Sequence, residues 1–238
     1  MFSNIDKKAI RKAGVGNIFW TTSLAYNKKT LKGAKPASSW ADFWDVNNFS
    51  GPRALQDQGP FNLEFALLAD GVPMDKLYPL DLDRAFKKMD KIKNNITVWW
   101  KNGAQQVQLL TSGEVNYSSA WNGRVNVAQS KGVPLEIVWN GGCMDLDWWC
   151  VPKGNPNKDL AMKFIDFALS AERQGEQAAK YIAYGPTNLN AFKYIPANRA
   201  KQLPSYPENL KKQFMHNADY WGKKLSKVTE RWKTWMIS

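Results

Sequence analysis

The chain contains few of the residues that form metal centres and nucleophilic catalytic sites. Its 238 residues include two cysteines and one histidine, His216, which lies in a stretch predicted to be helical and polar. Without a Cys-x-x-Cys pair or a second histidine, the usual zinc-binding spacings are excluded. A Ser-His-Asp arrangement would depend on His216, and no nucleophile motif lies near it. No run approaches 18 apolar residues, which excludes a transmembrane helix, and the polar start of the chain has no signal-peptide core.

The two cysteines, Cys143 and Cys150, are separated by six residues. If this stretch is a strand, seven steps of about 3.3 Å place the two Cα atoms beyond the reach of a disulfide. We therefore expect two small, buried thiols.

Acidic residues are scarce relative to basic ones, with 21 Asp and Glu against 33 Lys and Arg, for a net charge of +12. Such a balance first suggests a polyanionic partner. The excess lies at the two ends, however, because residues 61–150 hold nine basic and ten acidic side chains. We interpret the lysine excess as a solvated outer surface.

Segments with strand-like and helix-like patterns alternate along the chain, which predicts an α/β fold with a parallel or mixed sheet. Strands are expected at residues 17–27, 98–100, 115–121, 135–139 and 144–151. Helices are expected at residues 40–44, 61–70, 81–94, 103–112, 124–131, 161–181 and 207–235, the last broken around Gly222.

The segment from Gly141 to Pro152 carries two acids and two tryptophans. On a strand, Asp145 and Asp147 point to the same face. Two carboxylates beside indole rings are suited to a cation. A solvated strand end with one tryptophan in the core explains the pattern equally simply, and an acid/base pair would need a nucleophile that is not nearby.

Three other segments hold candidate ligand contacts. Trp121 ends a predicted strand just before a helix, where open α/β sheets bind ligands, although a buried tryptophan before an ordinary turn fits as well. Asp57 lies in a polar turn, where capping of the next helix is the alternative role. Tyr184 stands at the edge of a loop with Gly-Pro turn chemistry.

Taken together, these segments resemble the spermidine/putrescine-type solute-binding proteins of bacterial ABC importers. The similar elements occur in the order in which that family has them. They are Ser38–Trp44, Gly113–Val115 leading to Ala120–Gly123, Gly141–Pro152, Tyr184–Asn188 and Glu230–Trp235.

The resemblance implies a periplasmic-binding-protein-like, type II fold with two lobes and a hinge. Residues 22–142 would form a complete α/β lobe. Residues 1–21 and 143–238 would supply the hinge segments, the remaining half of the other lobe and the C-terminal helices. Because family members usually run longer at the N-terminus, with a signal peptide, we expect that lobe to be incomplete here.

The resemblance also implies roles for single residues. Trp121 would stack on the alkyl chain of the ligand, Asp147 would receive an ammonium group, and Tyr184 would form a wall of the cleft. Asp145 stands where polyamine binders often carry tryptophan. Polyamine binders supply acidic residues near the position of Asp57, at the start of the following helix, and this sequence offers only Asp57 there as an acidic contact. Trp20, on the first strand that crosses the hinge, is the remaining implied contact.

The predicted function is therefore that of a non-enzymatic, monomeric periplasmic protein that binds a polyamine or similar small cation and delivers it to an ABC permease. No cofactor, metal or nucleic acid is expected to bind. Two alternatives remain. The lysines near Trp221, Trp232 and Trp235 could bind single-stranded nucleic acid, although helical spacing favours core packing for these rings. The paired acids could belong to a carbohydrate hydrolase, but neighbours on one strand do not flank a bond.

Overall fold

The computed structural model describes residues 3–238 and has the predicted mixed α/β architecture. The strands are β1 (Ile10–Arg11), β2 (Gly14–Asn27), β3 (Arg53–Gln56), β4 (Ile96–Trp100), β5 (Tyr117–Trp121), β6 (Leu135–Trp149), β7 (Gly185–Pro186) and β8 (Gln213–Met215). The α-helices are α1 (Trp40–Trp44), α2 (Asn62–Ala69), α3 (Leu82–Asp90), α4 (Gly103–Ser112), α5 (Asn122–Ser130), α6 (Lys158–Ala168), α7 (Ala171–Lys180), α8 (Ala197–Ala200), α9 (Pro207–Leu210) and α10 (Ala218–Ile237). Short 3₁₀ helices span Lys7–Ala9, Met74–Lys76, Lys93–Asn95 and Leu189–Tyr194.

The chain forms two compact units. The larger unit comprises Thr22–Cys143 and Lys212–Ser238, and the smaller unit comprises the described residues up to Thr21 together with Met144–Lys211. The boundaries at residues 21/22 and 143/144 fall within β2 and β6, so each of these strands contributes residues to both units. The structure places residues 212–238 with residues 22–143, whereas the sequence predicted them in one group with residues 1–21.

In the larger unit the strands are ordered β4-β3-β5-β2-β6-β8. Strand β3 pairs in parallel with β4 and with β5, and β5 pairs antiparallel with β2. Parallel strands need apolar cover on both faces, and β5 is accordingly buried over all but its last residue. The buried core on this sheet is formed by Ala25, Ala54, Trp100, Leu109, Leu110, Val115, Ala120, Val125, Ala128 and Leu135.

Side-chain caps explain where the helices of the larger unit begin. The Ser39 hydroxyl accepts a hydrogen bond from the amide of Asp42 at 3.1 Å, as predicted for α1. The Asn102 side chain accepts from the amides of Ala104 and Gln105, both at 3.1 Å, at the start of α4. Each cap satisfies amides that have no partner inside the helix, which is worth about 1 kcal/mol.

In the smaller unit, β2 pairs antiparallel with β1 and with β7. Thr187 follows β7, and its hydroxyl donates to the carbonyl of Gly16 at 2.9 Å. Gln174 on α7 donates to the carbonyl of Asn17 at 2.6 Å and accepts from the amides of Thr187 and Asn188. This buried network joins α7 to the sheet. A small apolar core of the same unit is formed by Ala178, Ala183, Ile195, Ala200 and Leu203.

Two predicted helices differ from the structure. The helix expected at residues 161–181 is two helices, because Ser170 is extended and its hydroxyl caps α7 by accepting from the amide of Arg173. The helix expected at residues 207–235 is instead α9, the short strand β8 and α10, so the interruption lies at residues 211–217 and not at Gly222, through which α10 runs. A helical glycine costs about 1 kcal/mol, which the burial of the tryptophans of α10 outweighs.

Other differences concern β6 and its surroundings. The two strands expected at residues 135–139 and 144–151 are one strand, β6, which runs through the Gly-Gly pair with Gly141 at a φ of +74°. Cys143 is buried as expected, but Cys150 is exposed and the prediction of two buried thiols is wrong for it. His216 lies between β8 and α10 and not within a helix.

Candidate functional site

One group of predicted contacts lies at the edge where the parallel strands of the larger unit end. Asp57 follows β3, Lys101 follows β4, and Trp121 is the last residue of β5. Because β3 is hydrogen-bonded to both neighbours in parallel, the three residues lie at the same edge of the sheet. Ligands of open α/β sheets bind at this kind of edge.

The indole of Trp121 is half-buried and held in place by its neighbours. Its ring lies edge-on to that of Trp100, with the centroids 5.7 Å apart and an interplanar angle of 87°. It also covers Gly103 so closely that a Cβ at that position would collide with it. The backbone amide of Trp121 donates to the side-chain oxygen of Gln106, which is buried in α4. Trp121 is thus a rigid aromatic side chain with part of its surface exposed.

Asp57 has protein partners in the same unit. Its carboxylate accepts a hydrogen bond from the indole of Trp232 at 3.0 Å and lies 3.6 Å from the ammonium of Lys101. It does not cap α2, because the residue at that N-cap position is Phe61 and no side chain bonds there. The alternative role of Asp57 as a cap is therefore wrong, and much of its hydrogen-bonding capacity is used inside the protein.

A second group of predicted contacts lies in the smaller unit. The indole N–H of Trp20 on β2 donates to Oδ1 of Asp147 on β6 at 3.0 Å. Asp147 is solvent-exposed, but partial desolvation raises its pKa, the hydrogen bond from Trp20 opposes that rise, and the negative charge of Asp145 adds to it. Among residues 3–238, no basic side chain forms an ion pair with Asp147. The hydrogen bond from Trp20 therefore holds the carboxylate in place, and no basic side chain of the described residues neutralises its negative charge.

Asp145 and Tyr184 lie near this pair. Asp145 is half-buried on the same strand as Asp147, and its carboxylate accepts a hydrogen bond from the amide of Leu146 at 2.8 Å. Tyr184 is also half-buried and directly precedes β7, whose residue Gly185 is paired with Phe19. Extending this antiparallel register by one residue places Tyr184 opposite Trp20. The structure thus places Trp20, Asp145 and Asp147 on the neighbouring strands β2 and β6, with Tyr184 directly before β7, which also pairs with β2.

A buried polar cluster in the larger unit was not predicted. Oε1 of Glu64 accepts hydrogen bonds from the hydroxyl of Tyr78 at 2.6 Å and from the indole of Trp221 at 2.7 Å. The imidazole Nε2 of His216 lies 3.9 Å from the same oxygen, and its ring stacks on Phe61. The only sign of this cluster in the sequence is Glu64, a glutamate within the apolar run of α2. Glu64 is fully buried, so the cluster acts on stability and not on a ligand.

The tryptophans of α10 are core residues. Trp221, Trp232 and Trp235 are all buried, and the last two pack edge-on against Trp99 at 5.6 and 5.8 Å. Their faces are not available for stacking on bases, which removes the basis of the nucleic-acid alternative. Leu225, which shares their spacing, is exposed.

Among residues 3–238, no three His, Cys, Asp or Glu side chains are grouped so that they could hold a metal ion. None of the helices in the same range is long and apolar enough to cross a membrane.

With this geometry in place, the chain can be compared with known proteins. A family model described as bacterial extracellular solute-binding protein matches residues 7–209. An ABC transporter substrate-binding protein from Bradyrhizobium japonicum USDA 110, known from its crystal structure, is 41% identical. It superimposes with a TM-score of 0.92, and the match covers 99% of this chain and 76% of that one. The two proteins therefore share the periplasmic-binding-protein fold predicted from the sequence.

Two curated relatives differ in their named ligands. The gamma-aminobutyric acid-binding protein of Pseudomonas aeruginosa is 40% identical over 229 residues, which are 94% of this chain and 64% of that protein. The spermidine/putrescine-binding periplasmic protein of Escherichia coli K12 is 28% identical over 216 residues, 87% of this chain and 61% of that protein. This chain thus spans less than two thirds of either relative. Both relatives are named as binding proteins, and neither name describes a hydrolase.

Proposed function

The chain belongs to the family of bacterial extracellular solute-binding proteins, and we propose that it binds a small solute with a primary ammonium group on a short alkyl chain. Gamma-aminobutyric acid is the first candidate, because the relative named for it is more similar than the one named for spermidine and putrescine. Putrescine shares the ammonium group and the four-carbon spacing. The proposal therefore extends the predicted ligand class, a polyamine or similar small cation, to short ω-amino acids.

The observation that carries the proposal is the carboxylate of Asp147. Trp20 fixes one of its oxygens at 3.0 Å, and the other oxygen has no hydrogen-bond donor among residues 3–238. Asp147 is solvent-exposed and therefore accessible to a ligand, and partial desolvation together with the negative charge of Asp145 raises its pKa. An arriving ammonium group would supply the missing charge and a hydrogen bond to the second oxygen. Charge-assisted bonds of this kind are about twice as strong as neutral ones.

The neighbours of Asp147 favour an organic cation over a bare metal ion. Trp20 on β2 and Tyr184 directly before β7 are half-buried aromatic side chains, and β2 and β7 are paired. Aromatic faces attract ammonium groups and pack well against methylene groups. Asp145 adds negative potential, as its effect on the pKa of Asp147 indicates. Trp121 on the larger unit stays a predicted contact for the alkyl chain, whereas Asp57 is already bonded to Trp232.

In this function the protein delivers its ligand to the permease of an ABC importer, outside the cytoplasm. Calorimetric titration with gamma-aminobutyric acid, putrescine and spermidine tests the ligand class, with butyrate as the analogue that lacks the amine. We expect saturable binding of at least one amine and none of butyrate. Binding of butyrate as tight as that of gamma-aminobutyric acid would refute the ammonium-directed site.

Replacing Asp147 by asparagine tests the assigned residue. The asparagine side chain keeps the shape and can still accept from Trp20, but it removes the charge that would face the ammonium group. Hydrogen bonds to charged groups are worth about 1.5–3 kcal/mol, so the affinity measured by calorimetry should fall by about 10- to 100-fold. Asp75→Asn is the control, because it removes one exposed carboxylate from the other unit. Equal affinities of the Asp147 and Asp75 variants would show that Asp147 does not receive the ligand.

A further inference from the structure

A cavity of about 520 Å³ lies in the larger unit, at the opposite edge of its sheet from Asp57 and Trp121. Its lining includes Pro52, which directly precedes β3, and Asn116, which directly precedes β5. Because β3 and β5 are parallel, both residues lie at the edge where these strands begin. Asp57 and Trp121 lie where the same strands end, so the cavity is separate from that group of predicted contacts. Its volume is typical of sites for small organic ligands.

The buried Arg53 holds one wall of the cavity in place. Its guanidinium donates to the backbone carbonyl of Phe49 and, at 3.2 Å, to that of Gly51, which fastens the loop before β3 to the sheet. Gly51 adopts a φ of +112°, and a Cβ there would lie 2.1 Å from the side-chain nitrogen of Asn116. The amide of Asn116 in turn donates to the carbonyl of Pro52 at 2.7 Å. The wall is therefore built into the fold.

The charged side chains in the lining of the cavity are all positive. They are Lys32 and Lys35, and neither forms an ion pair within residues 3–238. Asp45 and Glu114 adjoin the lining segments in sequence but are not part of the lining. The Lys35 ammonium lies 5.9 Å from the ring centroid of Phe49, which also lines the cavity. A cation and an aromatic ring thus meet at this site, and the lining has no carboxylate to neutralise the cation.

The backbone at Lys32 is strained. Lys32 adopts a φ of +48°, in the left-handed region that favours glycine, and Gly33 follows with a φ of +88°. The amide of Ala34 donates to the carbonyl of Leu31 at 2.8 Å, which closes a tight turn around these two residues. Turns with two positive φ angles favour Asn-Gly or Gly-Gly, so a lysine at the first position is unfavourable for folding. A strained residue that brings a charge to a cavity indicates a function for that charge.

We propose that this cavity is a second ligand site and binds a small aromatic dicarboxylate. The ammonium groups of Lys32 and Lys35 would pair with the two carboxylates, and the ring of the ligand would pack against Phe49. Two lysines favour a dianion over a monoanion, and a volume of about 520 Å³ has room for a ring as well as for the charges. The inference does not depend on the solute that Asp147 receives, because Asp147 belongs to the smaller unit.

Calorimetric titration of the chain with phthalate tests the proposal. Benzamide keeps the ring without the charge, and inorganic phosphate keeps the charge without the ring. We expect saturable binding of phthalate, with benzamide and phosphate at least about tenfold weaker. Raising the salt concentration should weaken the binding of phthalate, because the ammonium groups are exposed. Amide hydrogen exchange in residues 30–35 and 48–52 should be slower when phthalate is bound.

Substitution of the two lysines locates the site. Lys32→Gly removes an ammonium group and relieves the left-handed backbone, so it should be at least as stable as the wild type in urea. It should nevertheless bind phthalate about three- to fivefold more weakly, and the double variant with Lys35→Gln at least about tenfold more weakly. Lys87→Gln is the control, because it removes one exposed charge from α3 of the same unit. It should change the affinity by less than about twofold.

Three results would overturn the proposal. One is the absence of phthalate binding by the folded chain. Another is phthalate binding that the double variant does not weaken. The third is phosphate binding as tight as that of phthalate, since the ring would then contribute nothing.

Two cross-checks keep the two proposed sites distinguishable. Asp147→Asn should leave the affinity for phthalate unchanged. The double variant should leave the affinity for gamma-aminobutyric acid unchanged. Failure of phthalate binding thus leaves the ammonium site standing, and failure at Asp147 leaves the cavity standing.

Discussion

Replacing Arg53 by methionine is expected to destabilise the larger unit by about 3–5 kcal/mol. Arg53 is 1% exposed at the start of β3. Its guanidinium donates to the backbone carbonyls of Phe43, Phe49 and Gly51, and no carboxylate within residues 3–238 is bonded to it. Methionine fills much of the same volume but leaves these carbonyls without their donor. Each buried acceptor that loses its partner costs about 1–3 kcal/mol.

Aromatic contacts add to the role of Arg53. The guanidinium carbon lies 5.3 Å from the ring centroid of Phe43 and 5.6 Å from that of Tyr117. Burial lowers the pKa of Arg53, because the charged guanidinium is less favourable away from water. The carbonyl dipoles and aromatic rings around the guanidinium offset part of this desolvation cost. The residue thus fastens the loop after α1 to the first residue of a central strand.

Urea denaturation followed by tryptophan fluorescence measures this effect. Arg84→Met is the matched control, because Arg84 is exposed and bonds to Asp70 at the surface. Surface ion pairs contribute about 0–1 kcal/mol, so this variant should lose little stability. If the two variants lost equal stability, the carbonyl cluster around Arg53 would not be a major source of stability.

Local patterns predicted the starts of several helices well. Ser39 and the helix beginning at Gly103 are examples, because a cap acts through hydrogen bonds to amides only two or three residues away. The break before α7 was missed although Ser170 carries a capping hydroxyl, since the apolar stripe of residues 162–169 suggested one continuous helix. Both phenylalanines of that stripe are exposed in the structure, so periodicity identified an apolar face without showing what it packs against.

The candidate site was only partly predictable for a related reason. Asp147 was identified from its own strand, but its hydrogen bond to Trp20 joins residues 127 positions apart. The partners of Asp57 were similarly hidden, because Trp232 lies 175 residues away on α10. Sequence spacing reports which side chains share a face of one element. It does not report which distant element supplies the donor that decides whether a carboxylate is open to a ligand.

Glu64→Gln is expected to change how the stability of the larger unit depends on pH. Burial raises the pKa of Glu64, while His216, Tyr78 and Trp221 oppose the rise. Between the ordinary glutamate pKa and this raised value, the folded state binds more protons than the unfolded state. Stability is therefore greatest below the unfolded pKa and falls as the pH rises through the folded one. The neutral glutamine can still accept from Tyr78 and Trp221 but does not titrate.

The stability of the Glu64→Gln variant relative to the wild type should accordingly increase as the pH rises from about 4.5 towards neutrality. Urea denaturation at a series of pH values measures this difference, and the buried Trp221 beside Glu64 supplies a fluorescence signal from the cluster itself. Glu208→Gln serves as the control, because Glu208 is exposed and pairs with Lys211 at the end of α9. Parallel curves for wild type and Glu64→Gln would mean that the pKa of Glu64 is the same in the folded and the unfolded state. Divergent curves would establish instead that the larger unit carries a buried acid whose ionisation weakens the packing of α10 on α2.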